Sequence, residues 1–164
     1  MRLMQGVVNG LLLAGCILAG ALAAPAANGP APAVLELQRQ AEDSIDAQYA
    51  LAMKYLKGEG VARDLAIALK WLRKAVDGGH VDAEYQLGLL YRDGIGVPKD
   101  PALALRWLQV AAIAGHEKAQ TAYAELQRAQ HVREADALRA AAKGGDATAQ
   151  YTLAQHYLVG KAPL

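Results

Sequence analysis

The sequence predicts an all-α protein, an α-solenoid of antiparallel helix pairs with about three repeats and a C-terminal half-repeat. Three observations predict it. Residues 47–79 are written a second time as residues 83–115, 36 positions further on. Apolar residues within each copy recur at helical spacing. Glycine clusters and aspartate-led helix starts punctuate both copies at the same offsets. In this register Ala47, Leu51, Tyr55, Gly58, Gly60, Val61, Asp64, Ala68, Trp71, Leu72 and Ala75 fall on Ala83, Leu87, Tyr91, Gly94, Gly96, Val97, Asp100, Ala104, Trp107, Leu108 and Ala111. A period of about 20 to 50 residues marks stacked units, each too small to bury its own apolar face.

The N-terminus comes first in the chain. Residues 1–23 hold one charge, Arg2, followed by an apolar run through Val7, Leu11, Leu12, Leu13, Ile17 and Leu18. This is expected to be a secretory signal, with Ala21-Leu22-Ala23 as a small-residue cleavage site. A second reading overlaps it: Leu13-Ala14-Gly15-Cys16 resembles a bacterial lipobox, which makes Cys16 a candidate lipidation site. Hydrophobicity that continues past Cys16 to Ala24 favours simple cleavage. An uncleaved membrane anchor fits less well, because Gln5, Asn9 and many Gly and Ala residues weaken the run and no basic stop-transfer cluster follows. The expected location is periplasmic or secreted, or membrane-anchored through a lipid if Cys16 is used. Cys16 is the only cysteine, so cleavage after Ala23 leaves a domain that stands on its core rather than on disulfides. Lys plus Arg number 17 against 16 Asp plus Glu, which leaves no basic excess to hold nucleic acid. Membrane contact is expected only through an N-terminal lipid.

The remaining elements follow in order. Residues 24–33 form a Pro/Ala linker, and 34–46 a helix capping the first repeat. Repeat one covers 47–82. Its helix A, 47–57, carries Ala47, Leu51 and Tyr55 on one face and Tyr49, Met53 and Leu56 nearly opposite, as a sandwiched helix requires. Gly58 and Gly60 end it, and Asp64 caps helix B, where Trp71 is the large anchor. Repeat two, 83–118, has the same plan, with Asp100 as cap and Pro101 at the first helical position. Small residues Ala68, Ala75, Ala104 and Ala111 let the B helices approach their neighbours. Repeat three, 119–148, is degraded: Gly115 to Gly145 spans 30 positions and no tryptophan survives. Its helices are expected at 118–129 and 134–143, with a shortened turn at 130–133. Residues 149–164 restart the pattern through Ala149, Leu153, Tyr157 and Gly160 as a half-repeat.

The run Ala83-Glu84-Tyr85-Gln86-Leu87-Gly88, Tyr91, Gly94-Ile95-Gly96-Val97, Asp100, Ala104, Trp107, Ala111 and Gly115 resembles the Sel-one-like repeat (SLR). That unit is a relative of the tetratricopeptide repeat with a longer, glycine-containing turn. The resemblance covers residues 47–160, strongly over two repeats and weakly in the third. It implies a right-handed superhelix of helix pairs acting as an adaptor in protein complexes, often envelope-associated in bacteria. Some exported members carry a cysteine pair bridging each repeat, and some of those are linked to β-lactam binding or hydrolysis. This chain lacks those cysteines, so the resemblance does not carry that activity over.

The catalytic inventory is thin, and no cofactor, catalytic residue or metal site is expected. Ser44, the only serine, has no lysine three residues on and reads as a helix cap. Of the four histidines, His80 and His116 recur because the inter-repeat turn recurs, and neither they nor His131 and His156 have the spacing of a zinc site. Gly58-Glu59-Gly60 and Gly94-Ile95-Gly96 follow helices rather than strands, so they read as turns, not phosphate loops. Asp64 and Asp100 precede helices at one register and read as caps rather than paired acids.

Tyr49, Tyr85 and Tyr151 share one repeat offset beside Met53 and Leu89. They line either a groove for a protein or peptide partner or the packing between successive A helices. Gln48, Glu84, Gln86, Arg92 and Gln120, with Lys54, are the polar candidates on the same helices. The leading expectation is a non-enzymatic adaptor of the bacterial cell envelope. Its rivals are an enzyme on cell-wall or β-lactam-like substrates, resting only on distant family members, and a self-assembling module. In the last, Tyr151, Leu153, Tyr157 and Leu158 of the unfinished end pair with a second copy.

Overall fold

Each 13-residue helix of the two well-written repeats is set by its ends. The computed structural model describes residues 29–158, which form seven α-helices and no strand. The expected signal segment 1–23, Cys16, the first half of the linker and Gly160 lie outside the described residues. Helices α2 (Ile45–Lys57) and α3 (Leu65–Asp77) make repeat one, and α4 (Val81–Asp93) and α5 (Pro101–Ile113) make repeat two. Gly58 and Gly94 stop α2 and α4 in the left-handed conformation, at φ 76° and 75°, where a side chain would be strained. Asp64 then accepts from the amides of Ala66 and Ile67 at 2.9 and 3.0 Å, and Asp100 from those of Ala102 and Leu103 at 2.9 Å each. Each pair of bonds satisfies amides that a helix start leaves unpaired.

The interior follows the repeat signature. Leu51, Leu72, Leu87, Leu90 and Leu108 are almost fully buried, as are Ala68, Ala75, Ala83, Ala104 and Ala111. Trp71 and Trp107 are half-buried and pack beside the cluster formed by Ala52, Leu72, Ala75, Ala83 and Leu87. Tyr55 closes the first repeat against the N-terminal helix, its hydroxyl accepting from Gln38 at 2.7 Å.

That N-terminal helix is shorter than expected. Helix α1 runs over Pro32–Gln40 rather than 34–46, and it starts inside the expected linker. Pro32 sits at its start, where a missing amide costs nothing, and the Ala31 amide donates to the Gly60 carbonyl at 2.9 Å. The chain turns at Ala41–Asp43 because Ser44 begins a new helix, its hydroxyl accepting from the Ala47 amide at 3.3 Å. Ile45 and Asp46 therefore belong to α2.

The larger correction lies in repeat three. The turn expected at 130–133 does not form; α6 is one helix, Glu117–Lys143, of 27 residues and roughly 40 Å. Gln130-His131-Val132-Arg133 contains no Gly or Pro, and it lies between runs rich in Ala, Glu, Leu, Gln and Arg, all strong helix formers. With the Gly-x-Gly turn deleted, nothing stops propagation. The first half of α6 packs Ala122 and Leu126 on Ala104 and Leu108 of α5. Beyond it, α7 (Ala147–Leu158) lies against α6, and Ala135 and Ala149 are buried.

A candidate protein-interaction surface

The sequence-derived candidates sit on three helices. Gln48, Tyr49 and Met53 lie on α2; Glu84, Tyr85, Gln86, Leu89 and Arg92 on α4; and Gln120 on the first turn of α6. All but Gln120 are half-buried, so they form a partly open strip rather than a sealed core.

Two aromatic pairs brace this strip. Tyr49 stacks on His80 with ring centroids 4.5 Å apart, and Tyr85 on His116 at 4.4 Å. Each histidine is also the N-cap of the next A helix. His80 Nδ1 accepts from the Ala83 amide at 3.3 Å, and His116 Nδ1 from the Ala119 amide at 3.0 Å. An accepting Nδ1 places the ring proton on Nε2. Nε2 faces a carboxylate in both repeats: Asp46 Oδ1 at 3.5 Å from His80 and Asp82 Oδ1 at 3.1 Å from His116. One ring thus ties the start of an A helix to the A helix before it. Burial, with Asp82 and Tyr85 nearby, holds the Tyr49 phenol above its ordinary range.

The period-based reading saw these histidines only as part of a turn. The missed signal was the spacing: an Asp 34 positions and a Tyr 31 positions before each histidine. At the third junction all three residues change together. Asp146 caps α7 through the Ala149 amide at 3.0 Å, and the Asp and Tyr positions of α6 hold Lys118 and Thr121. Tyr151 accordingly stands apart from the ladder, 67% exposed, with its hydroxyl accepting from Gln155.

The polar candidates divide by what already holds them. Gln48, Gln120 and Gln150 donate their side-chain amides to the carbonyls of Ala41, Ala112 and Ala142, at 3.0, 3.3 and 3.0 Å. These amides seal the end of the preceding helix. Glu84 occupies the same register with a carboxyl that lacks the donor, and its Oε2 is buried without a hydrogen-bond partner. Burial pushes that carboxyl up from the ordinary glutamate range, against an opposing pull from His80. Arg92 is held by Asp93 through two bonds of 2.8 and 2.9 Å, and Lys54 by Glu59 at 3.2 Å. Among the described residues, no three His, Cys, Asp or Glu side chains cluster as a metal would need. The arrangement offers aromatic, thioether and amide contacts to another chain, with one fixed guanidinium at its edge.

This geometry, in two 36-residue units, is matched by the model of the Sel1 repeat over residues 45–80 and 81–116. The chain is an SLR-family helical-repeat protein. Solved SLR structures resemble it. The protective antigen c5321 of uropathogenic Escherichia coli, which displays an SLR fold, is 31% identical with a TM-score of 0.58, over 77% of this chain and 29% of that one. A Sel1 repeat protein from Oxalobacter formigenes is 41% identical with a TM-score of 0.54, over 56% of this chain and 27% of that one. This SLR chain therefore spans less than a third of the length of either structure. Among curated proteins, none matches it. Membership of the SLR family suggests a protein-interaction scaffold, and SLR proteins are generally non-catalytic.

Proposed function

We propose that this SLR chain is an adaptor of the bacterial cell envelope that binds an extended protein segment along α2, α4 and the start of α6. The observation that carries this reading is the half-open aromatic ladder, Tyr49 on His80 and Tyr85 on His116, flanked by Met53, Leu89 and Arg92. The rings are already clamped by capping bonds and carboxylates, so a partner meets a surface that loses little entropy on binding. The envelope setting rests on the N-terminal stretch 1–23, read as an export signal or, through Cys16, as a lipoprotein signal.

A natively exported, epitope-tagged copy tests the proposal after mild crosslinking and mass spectrometry. One envelope protein recovered near stoichiometry, and lost in a Gln86→Ala, Arg92→Glu double variant that still melts normally, is the expected result. Equal recovery by the variant overturns the location. Recovery of the bait alone overturns the adaptor.

A second reading has its own observation. Tyr151, Tyr157 and Leu158 of α7 are 67, 60 and 83% exposed, an apolar end suited to pairing with another copy. Sedimentation that shows a strict monomer at high concentration removes it.

A further inference from the structure

A second surface lies on α3. An open groove of about 680 Å³ runs between this helix and the turn at Gly96-Val97-Pro98. One wall is cationic, with Lys70, Arg73 and Lys74 at successive positions of one helix face. The other wall is apolar, formed by the turn, and Ala66, Leu69 and one carboxylate, Asp77 at the end of α3, complete the lining. Lys70 and Arg73 are exposed, and among the described residues neither has a carboxylate within ion-pair distance. Lys74 is only loosely engaged, 3.9 Å from Glu42 and over the Trp71 ring at 4.4 Å.

The groove is pre-formed. Gly96, at φ +72°, lies so close to α3 that a Cβ there would come within 3.1 Å of both Leu65 Cβ and Leu69 Cδ1. Helix α5 has no counterpart. At the same register it carries Arg106, Gln109, Val110 and Ile113, and the continuous α6 supplies no turn to build a second wall. Val110 and Ile113 are left 39 and 81% exposed.

We propose that this groove docks a short extended segment of a partner protein in which acidic and apolar residues alternate. Alternate side chains of an extended chain point to opposite sides, about 6.8 Å apart on each side. Successive turns of α3 bring its cations about 5.4 Å apart. Acidic side chains two residues apart therefore meet Lys70 and the Arg73–Lys74 pair, while the residues between them face Val97 and Pro98. The chain's own ends do not fit, since residues 1–28 carry only Arg2 as a charge and residues 159–164 only Lys161. Three cations against one carboxylate, Asp77, leave the groove two positive charges in excess beside an apolar wall. In a chain of net charge +1, that matches a short peptide with two acidic side chains better than the broad field that a polyanion or lipid surface needs.

Fluorescence anisotropy on the full chain tests this, with a dye-labelled heptapeptide of alternating Glu and Leu as probe. Alternating Lys–Leu and Glu–Ser peptides and phosphatidylglycerol vesicles are the comparators. The Glu–Leu peptide is expected to bind, to weaken as salt rises, and to exceed both comparator peptides. Lys70→Glu combined with Arg73→Glu should lower its affinity about tenfold. Gln109→Glu, at the register of Arg73 on α5, should leave it unchanged. Should the double reversal fail to fold, Lys70→Gln with Arg73→Gln replaces it. Equal binding by the charge variants, equal binding of all three peptides, or binding of the vesicles but not the peptide overturns the proposal.

Discussion

Glu84 stands where the repeat register otherwise places an amide. Gln48, Gln120 and Gln150 each donate to the end of the helix before them. The carboxylate at 84 has no amide hydrogen to donate, and its Oε2 is left buried and unpaired. Glu84→Gln is therefore expected to raise stability by about 0.5–1.5 kcal/mol at neutral pH, measured by urea unfolding. The pH dependence has a definite sign. A carboxyl raised in the fold binds more protons there than in the unfolded chain, so its contribution falls as pH rises through that window. The advantage of the glutamine should thus shrink as pH drops toward about 4.3. A gap that is constant with pH would remove the buried carboxyl as its cause.

His116 makes a second residue-scale case. Its Nδ1 caps α6 and its ring covers Tyr85. His116→Ala should cost about 1–2 kcal/mol of stability, while His116→Asn, which keeps a capping oxygen, should cost clearly less. Equal losses in the two melts would assign the role to the ring alone. This clamp shows why part of the candidate surface was hard to read from sequence. Repeat period brings Tyr49 and Tyr85 to one face, but it does not say that they rest on the next repeat's histidine. Nor does composition separate Gln86, left as a half-exposed side chain, from Gln48, whose amide is spent on a backbone carbonyl.

At the scale of elements, local chemistry was legible wherever it was punctuated. Gly58, Asp64, Gly94 and Asp100 mark helix ends that the structure keeps. Residues 130–133 were misread because the repeat plan was extended to a segment without a breaker. Val132, 44% exposed in the middle of α6, reports the difference. Val132→Pro should cost about 3 kcal/mol and lower the helical circular dichroism, because it removes an amide bond and clashes with the preceding turn. A neutral outcome would restore the turn.

Helix pairing in repeat two depends on Gly88, whose Cβ would lie 2.9 Å from Leu108 Cγ. Two effects oppose each other in Gly88→Ala. Helix propensity gains about 1 kcal/mol, and overpacking costs about 1–3 kcal/mol. Leu108 is fully buried and cannot retreat, so net destabilisation of up to about 2 kcal/mol is expected in thermal unfolding. Stabilisation would mean that α4 and α5 separate with little penalty.

At the scale of the molecule, two regular repeats form a stack, and the third is straightened into a helix that carries α7 on its far half. That layout leaves three surfaces: the aromatic strip of α2 and α4, the cationic groove of α3, and the apolar end of α7. Hydrogen exchange of the chain, alone and in the complex captured by crosslinking, tests the central claim by asking which surface a partner covers. Added protection in α2 and α4, centred on 48–53 and 84–92, is the predicted result. Protection confined to α7, or no added protection in α2 and α4, would contradict it.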